Sequence, residues 1–232
     1  MEKKIKHQSI ELNWTNPSLI KNPKTLVLGS FNPYESEDKS VDYYYGRSSN
    51  HFWRTISTIL NIDEDYFFNK QFGLQRKEKV MQERFCCLDV IDSIILKAEN
   101  QLILDNYIKK EIFSNFMDQK IWLGTTNYKK KAQISFSRIY NQRIIDLLKD
   151  SKTIKKVIHT MGENRITEFE VKPKELKLNE NGFSSFFDQV KSICHLKGIQ
   201  IIYESWSPSN YAVKNGSTSK ENLRNWIENH LL

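Results

Sequence analysis

The sequence predicts an α/β fold, a three-layer α/β/α sandwich around a mostly parallel sheet of roughly four strands. Three observations predict it. Short apolar runs at residues 25–30, 85–90, 120–123, 156–160 and 199–204 have the length and continuous hydrophobicity of strands buried on both faces. Segments with apolar residues at three- and four-residue spacing lie between and after them, and such alternation places helices on both faces of a parallel sheet. The length, 232 residues, suffices for one substantial core and not comfortably for two.

Taken in order, residues 1–24 are polar with scattered apolar anchors (Ile10, Leu12, Trp14, Leu19, Ile20) and read as a lead-in packed along a single domain of residues 25–232. Thr25-Leu-Val-Leu-Gly-Ser30 is the first buried strand, and a long loop follows to residue 49. Asn50 is placed to cap a helix running to about residue 61, with Phe52, Trp53, Ile56, Ile59 and Leu60 on one face. Helical spacing recurs at 75–84, 102–117, 140–149 and 183–197, the last through Phe183, Phe186, Phe187, Val190, Ile193 and Cys194. A capping box at Thr218-x-x-Glu221 opens a final helix with Leu223, Trp226, Ile227 and Leu231 on its apolar face. The irregular, basic stretch 124–138, with Lys129, Lys130 and Lys131 in succession, reads as an inserted loop.

Hydrophobic residues make up 39% and charged residues 27%, the balance of a soluble globular chain. A formal charge of +7 favours a polyanionic partner, since each neutralised phosphate releases condensed counterions; a merely solvated lysine-rich surface gives the same count. Three cysteines, Cys86, Cys87 and Cys194, are neither a disulfide framework nor a four-ligand metal set, and the five histidines form no cluster. They predict no metal and no other cofactor. No apolar run approaches the roughly 20 residues that span a bilayer, and Met1 to Lys6 is charged; the expectation is a cytoplasmic, nucleoid-associated protein with no membrane partner.

In open parallel sheets, function lies beyond the carboxyl ends of the strands. Three segments therefore matter: 31–50, 89–93 and 205–219. The first contains Gly29-Ser30-Phe31-Asn32-Pro33-Tyr34 and then Tyr43-Tyr-Tyr45-Gly46-Arg47-Ser-Ser-Asn50-His-Phe-Trp53. Neither a G-x-G-x-x-G fingerprint nor a P-loop is present, which disfavours ordinary dinucleotide or nucleoside-triphosphate binding. Asn-Pro directly after a buried strand makes a preset turn that presents an amide at the sheet edge. The tyrosines offer flat surfaces for a planar ring, worth roughly 1–3 kcal/mol per stacked base. The last segment, Ser205-Trp-Ser207-Pro208-Ser209-Asn210-Tyr211, brings small hydroxyl and amide groups around a proline, suited to phosphate contacts or simply to a turn.

These segments resemble the uracil-DNA glycosylase superfamily, its mismatch-specific and hypoxanthine-type branches above all. Residues 27–54 are similar to that family's first motif, a strand, a Gly/Asn-Pro turn, an aromatic-rich loop and Asn-x-Phe-Trp opening a helix. Ser205-Trp-Ser-Pro208-Ser-Asn210 resembles its last motif. Residues 156–165, with Gly162, resemble its third strand and Gly turn, and residues 85–93 the segment in which an Asp (Asp89 or Asp92) follows the second strand. The chain departs from the family pattern in three places. Ser30 stands where the family has its Gly, Ser207 stands in place of a His in the best-known uracil-specific members, and the four cluster-binding cysteines of other members are absent.

The resemblance implies a monofunctional DNA N-glycosylase, a hydrolase acting in base excision repair of DNA damage. It flips a damaged, deaminated or modified base out of single- or double-stranded DNA and acts as a monomer. It makes Asn32 and Asn50 the catalytic residues, Asn32 orienting the attacking water; the plain alternatives are that Asn32 caps its turn and Asn50 its helix. Ser30, Phe31, Tyr34, Tyr45, Ser207, Ser209 and Asn210 become the substrate-binding residues: Tyr45 stacks on the base or is a lid packed on the helix, Tyr34 excludes bulky substituents or faces solvent, and Ser207, Ser209 and Asn210 contact phosphate or the leaving base. Glu35 and Asp38 are carboxylates of the same loop that could replace Asn32. Tyr211 would fill the gap in the duplex, and Lys214, Lys220 and Lys129–Lys131 would meet the backbone. Two other readings stay open: a glycosylase-fold module that binds nucleic acid or a partner without catalysis, and a hydrolase of free nucleosides.

Overall fold

The structure is a computed structural model that describes residues 1–14, 22–32, 41–106, 108, 134–161 and 183–232. Its elements run β1 (Glu2–Lys6), α1 (Gln8–Glu11), β2 (Thr25–Gly29), α2 (His51–Ile59), α3 (Gly73–Glu83), β3 (Phe85–Asp89) and β4 (Ile91–Ala98). Then come β5 (Ile134–Tyr140), α4 (Gln142–Asp150), β6 (Lys156–His159), α5 (Phe183–Lys197), β7 (Gln200–Ile201), α6 (Asn210–Lys214) and α7 (Lys220–Leu231). A short 3₁₀ turn at Tyr66–Phe68 precedes α3, and residues 101–106 are helical.

The central sheet has the order β3-β2-β6-β7 and every pairing in it is parallel. Side chains alternate across it with the period of two that a strand imposes. Leu26, Leu28, Cys86, Leu88 and Val157 face α4 and α5, meeting Ile144, Ile145, Leu148, Phe186, Phe187, Val190 and Cys194. Val27, Phe85, Cys87 and Ile158 face the other way, onto Phe52, Trp53 and Ile56 of α2 and Leu223, Trp226 and Ile227 of α7. Both faces are thus covered, which is why these strands read as unbroken apolar runs. The fold is the expected three-layer α/β/α sandwich.

A second sheet was not expected. β1, β4 and β5 form an antiparallel sheet in that order, with β4 in the centre. Residues 2–6, part of the expected lead-in, are therefore a strand, and residues 134–138, expected in an inserted loop, belong to β5. Residues 91–93, expected in a strand-end loop, open β4. Its own core gathers Ile5, Ile91, Ile94, Leu96 and Leu104 with Phe31. Ile91 follows β3 after one residue, so the chain passes from the parallel sheet straight into the antiparallel one. Val90 N and Ile91 N donate to Gly29 O and Ser30 O at 3.0 and 3.2 Å, welding that corner to the end of β2.

Several boundaries differ from expectation. The last strand covers only Gln200–Ile201 rather than 199–204. The helix expected from residue 140 starts at Gln142 because Tyr140 completes β5 and Asn141 is the cap, its side chain accepting from Arg143 N. α7 is capped by Ser219, which accepts from Asn222 N at 3.0 Å, and not by Thr218, which is buried. The strand expected at 120–123, most of the helix expected at 102–117 and the Gly162 turn lie outside the described residues. Among the described residues no helix is long and apolar enough to cross a membrane.

Candidate functional site

β2, β3 and β6 end side by side, and above their carboxyl ends lies a cleft of about 270 Å³. Its walls are the end of β2 (Gly29, Ser30, Phe31, Asn32), the turn before α2 (Tyr44, Tyr45, Gly46, Arg47, Asn50) and the Ser207-Pro208-Ser209 loop; Asp89 and Thr160 complete them from β3 and β6. Ser30, Phe31, Asn32, Tyr45, Asn50, Ser207 and Ser209, all expected at the site from sequence, therefore meet in one cavity. Asn210 is half-buried on α6, outside the residues that line the cleft, while Tyr211 is 73% exposed and Lys214 and Lys220 point to solvent. Tyr34, Glu35, Asp38 and Lys129–Lys131 lie outside the described residues.

Tyr45 forms one wall and is held on three sides. Its ring stacks on Phe52 with centroids 4.3 Å apart, and its hydroxyl shares a hydrogen bond of 2.9 Å with Thr160. Its backbone adopts φ of 56°, in the left-handed region that residues other than glycine seldom occupy. Such a conformation persists only where its surroundings impose it. Here Tyr44 O, one residue earlier, accepts from Trp53 Nε1 at 2.7 Å, and Gly46, one residue later, has no room for a side chain against Asp42 and Tyr43. Burial, with Cys87 and Asp89 nearby, pushes the Tyr45 phenol well above its ordinary range, so the hydroxyl stays neutral.

Asn50 commits one end of its amide to the fold. Its Oδ1 accepts from Phe52 N at 2.9 Å and caps α2. Because only the oxygen can accept, that bond settles which end of the amide is which, and the NH₂ is the end not engaged by the helix. The neighbouring His51 N donates to Pro208 O at 2.8 Å, which ties the start of α2 to the loop carrying Ser207 and Ser209. Within that loop Ser207 Oγ donates to Ser209 Oγ at 3.2 Å, and Ser209 Oγ accepts from Ala212 N, capping α6. Asn32 is fixed through its carbonyl, which accepts from Gln8 N at 2.8 Å, while Arg47 Nη2 reaches its Oδ1 at 3.5 Å. That long contact leaves Oδ1 capacity for a second donor.

Asp89, which lines the cleft, and its neighbour His7, which does not, carried no role in the sequence-based assignment. Asp89 ends β3, and its Oδ1 lies directly over the Cα of Gly29, in space that any side chain at position 29 would occupy. Its Oδ2 is 2.7 Å from Nε2 of His7, a histidine that is 1% exposed. Ser9 N donates to His7 Nδ1 at 2.9 Å, which assigns the ring proton of a neutral imidazole to Nε2, the nitrogen facing Asp89. The carboxylate sits off the direction of that N–H, so the two groups are in close contact without an aligned hydrogen bond. Asp89 was legible as the acid following the second strand; Asp92 is not its equivalent, since it accepts from Ser93 Oγ and does not line the cleft. His7 carried no signal, because it sits in a charged N-terminal stretch and meets Asp89 only through the second sheet.

The cysteines beneath the site are chemically quiet. Burial pushes Cys86 up to about 12 and Cys87 well above its ordinary range, so neither is a thiolate nucleophile near neutral pH. Comparison with protein-family models, with curated proteins and with solved structures finds no match for this chain.

Proposed function

We propose that this protein is a DNA N-glycosylase that hydrolyses the bond between sugar and base of a nucleotide turned out of the DNA stack. The observation that carries the reading is the meeting of Asn32, Tyr45, Asn50, Ser207 and Ser209 around one cleft at the strand ends. Its volume, about 270 Å³, falls just below the usual range for small-molecule sites and suits one planar ring system rather than a whole dinucleotide.

The chemistry follows from what each wall can do. A flipped base enters with one face on the side of Tyr45 that Phe52 does not cover. Asn50, with its oxygen committed to the helix, offers N–H donors to the negative charge that grows on the departing base. Asn32 Oδ1 accepts from and orients a water for attack on the sugar carbon; an amide is too weak a base to take the proton early, so catalysis depends on preorganised dipoles and a good leaving group. Ser207 and Ser209, coupled to α2 through Pro208, sit on the side where the DNA backbone would approach. The net charge of +7 favours the polyanion.

The test is base release from duplex and single-stranded oligonucleotides carrying a panel of normal, deaminated and alkylated bases, beside DNA affinity as a function of salt. Release of a base from at least one substrate, lowered at least about a hundredfold by Asn32→Ala, is the expected result. DNA affinity should fall steeply between low and physiological salt. A protein that binds DNA but releases nothing would be a reader with a glycosylase-like cleft. A protein that cleaves free nucleosides without salt-sensitive DNA affinity would be a nucleoside hydrolase.

A further inference from the structure

We infer that the face opposite the cleft binds the phosphate backbone of a nucleic-acid strand, in a groove where β2, β3 and β6 begin, whatever chemistry the cleft performs on a base.

The groove encloses about 510 Å³ and is lined by Lys24, Glu83, Arg84, Lys155, Lys156 and His230, with the end of α7 along one side. Thr25 pairs with Phe85 on one neighbouring strand and with Lys156 on the other. The residues just before them, Lys24, Arg84 and Lys155, therefore stand in a row across three adjacent strands. Backbone hydrogen bonds fix that row: Lys24 N donates to Arg84 O at 3.1 Å, and Lys155 N donates to Lys24 O at 2.8 Å. Two strand spacings make it about 10 Å long. The length of β2, about 16 Å, separates the groove from the cleft, so the two open at opposite ends of the sheet.

α3 and α7 both end at the groove, and the carboxyl ends of helices attract cations, so the simplest role for basic residues here is to serve the helices. The hydrogen bonds show which of them do. Arg84 Nη1 donates to Leu232 O at 2.8 Å, and Lys156 Nζ donates to Asn229 O at 3.3 Å, so these two answer the last carbonyls of α7. Lys156 Nζ is also 3.2 Å from His230 Nδ1; an ammonium only donates, so that ring nitrogen is the acceptor. Lys24 and Lys155 are exposed, and among the described residues neither ammonium has a hydrogen bond or an ion pair. With Arg84 set against Leu232, three ammoniums face the one side-chain carboxylate of Glu83.

The kind of anion follows from the walls. His230 is the one ring among the described residues lining the groove, and it is engaged with Lys156, so nothing there stacks on a base. Lysine ammoniums on long stems meet phosphate as point charges and carry no sequence information. Such a groove suits a run of phosphodiesters, whose bound counterions are released on contact, better than a single small phosphate ester, which a pocket holds by apolar contact as well. A strand bound there leaves the cleft free for another.

The test is an NMR titration of the full-length protein at low salt, with a short oligothymidylate and separately with inorganic pyrophosphate. The backbone amides of Asn229 and His230 report the groove and that of Tyr45 the cleft. The oligonucleotide should shift the groove amides and bind there at least about tenfold more tightly than pyrophosphate. Replacing both lysines, Lys24→Ala with Lys155→Ala, should weaken that titration about tenfold or more and lower its log–log salt slope by about 1–2, with the melting curve and the response of Tyr45 unchanged. Groove shifts without any at Tyr45 uphold the inference and count against the glycosylase proposal. Shifts confined to Tyr45, or none at either place, overturn the inference and leave the glycosylase proposal to its own test. Groove shifts that the double replacement leaves unchanged overturn it too, as does pyrophosphate binding as tightly as the oligonucleotide, which would make the groove a site for a free phosphate compound.

Discussion

The ammonium of Lys77 lies 2.7 and 2.8 Å from the two carboxylate oxygens of Asp42, and the lysine is almost wholly buried while the aspartate is partly exposed. The pair joins α3 to the turn that presents Tyr45, and Asp42 in turn fills the space left by the missing side chain of Gly46. Burial lowers the Lys77 pKa, against the opposing pull of Asp42, so the lysine is a charge held inside by one partner.

The two halves of that pair should therefore respond unequally. Asp42→Ala leaves a buried ammonium without its counter-charge and should cost about 2–4 kcal/mol, discounted for the exposure of Asp42. Lys77→Met keeps most of the volume, removes the charge and should cost less. Chemical denaturation of both variants is the check, and an equal or reversed ranking would mean the contact contributes packing alone. Asp42→Ala should also loosen the left-handed turn at Tyr45 and weaken any ligand stacked there.

Gly29→Ala tests the floor of the cleft. The added Cβ runs into Asp89 Oδ1, so either the carboxylate turns away or the ends of β2 and β3 separate. A stability loss of about 1–3 kcal/mol is expected, with ligand binding lost by more than the stability change explains. Unchanged binding in a stable Gly29→Ala protein would show that Asp89 Oδ1 does not face the ligand.

The parallel core was readable because its strands announce themselves locally. Leu26, Val27 and Leu28 need no partner to be recognised as buried on both sides, and the helix at Phe183–Lys197 repeats its apolar face at regular spacing. The second sheet was not readable for the opposite reason. Glu2–Lys6 has four charged residues of five and buries only Ile5, so its strand character comes from pairing with β4. Ile91–Ala98 has an irregular burial pattern and a register shift between Ile91 and Ser93, which breaks the alternation a sequence pattern relies on. The site divides along the same line. Asn32, Tyr45 and Asn50 stand in one continuous segment, whereas the His7–Asp89 contact depends on that second sheet.

Acid sensitivity should trace to His159. Its Nε2 faces Tyr203 O at 3.0 Å while its Nδ1 has no partner among the described residues, and burial pushes its pKa from 6.5 to about 4. Between those values the unfolded state binds the proton and the folded state does not, so stability rises with pH across the window. The contribution is complete above about pH 6.5 and is lost as pH falls toward 4, amounting to about 3 kcal/mol. Urea titrations of wild type and His159→Leu from pH 4 to 7 isolate it: the variant should lose most of that slope, though some persists because burial and Lys156 also lower His230. Parallel curves would place the acid sensitivity elsewhere.

Asn50 allows stability and function to be separated at one position. Its oxygen caps α2 and its NH₂ is proposed to serve the leaving base, so Asn50→Ala removes both and should cost about 0.5–2 kcal/mol along with activity. Aspartate caps a helix as well as asparagine does, and Asn50→Asp should keep the melting temperature near wild type. It replaces the donor, however, with a second negative oxygen against the charge building on the base. Base release should therefore fall at least as far in Asn50→Asp as in Asn50→Ala, although only the alanine variant is destabilised. If activity instead follows stability, recovering in Asn50→Asp, then Asn50 serves the helix alone and the donor to the leaving base must be sought among Ser207, Ser209 and Arg47.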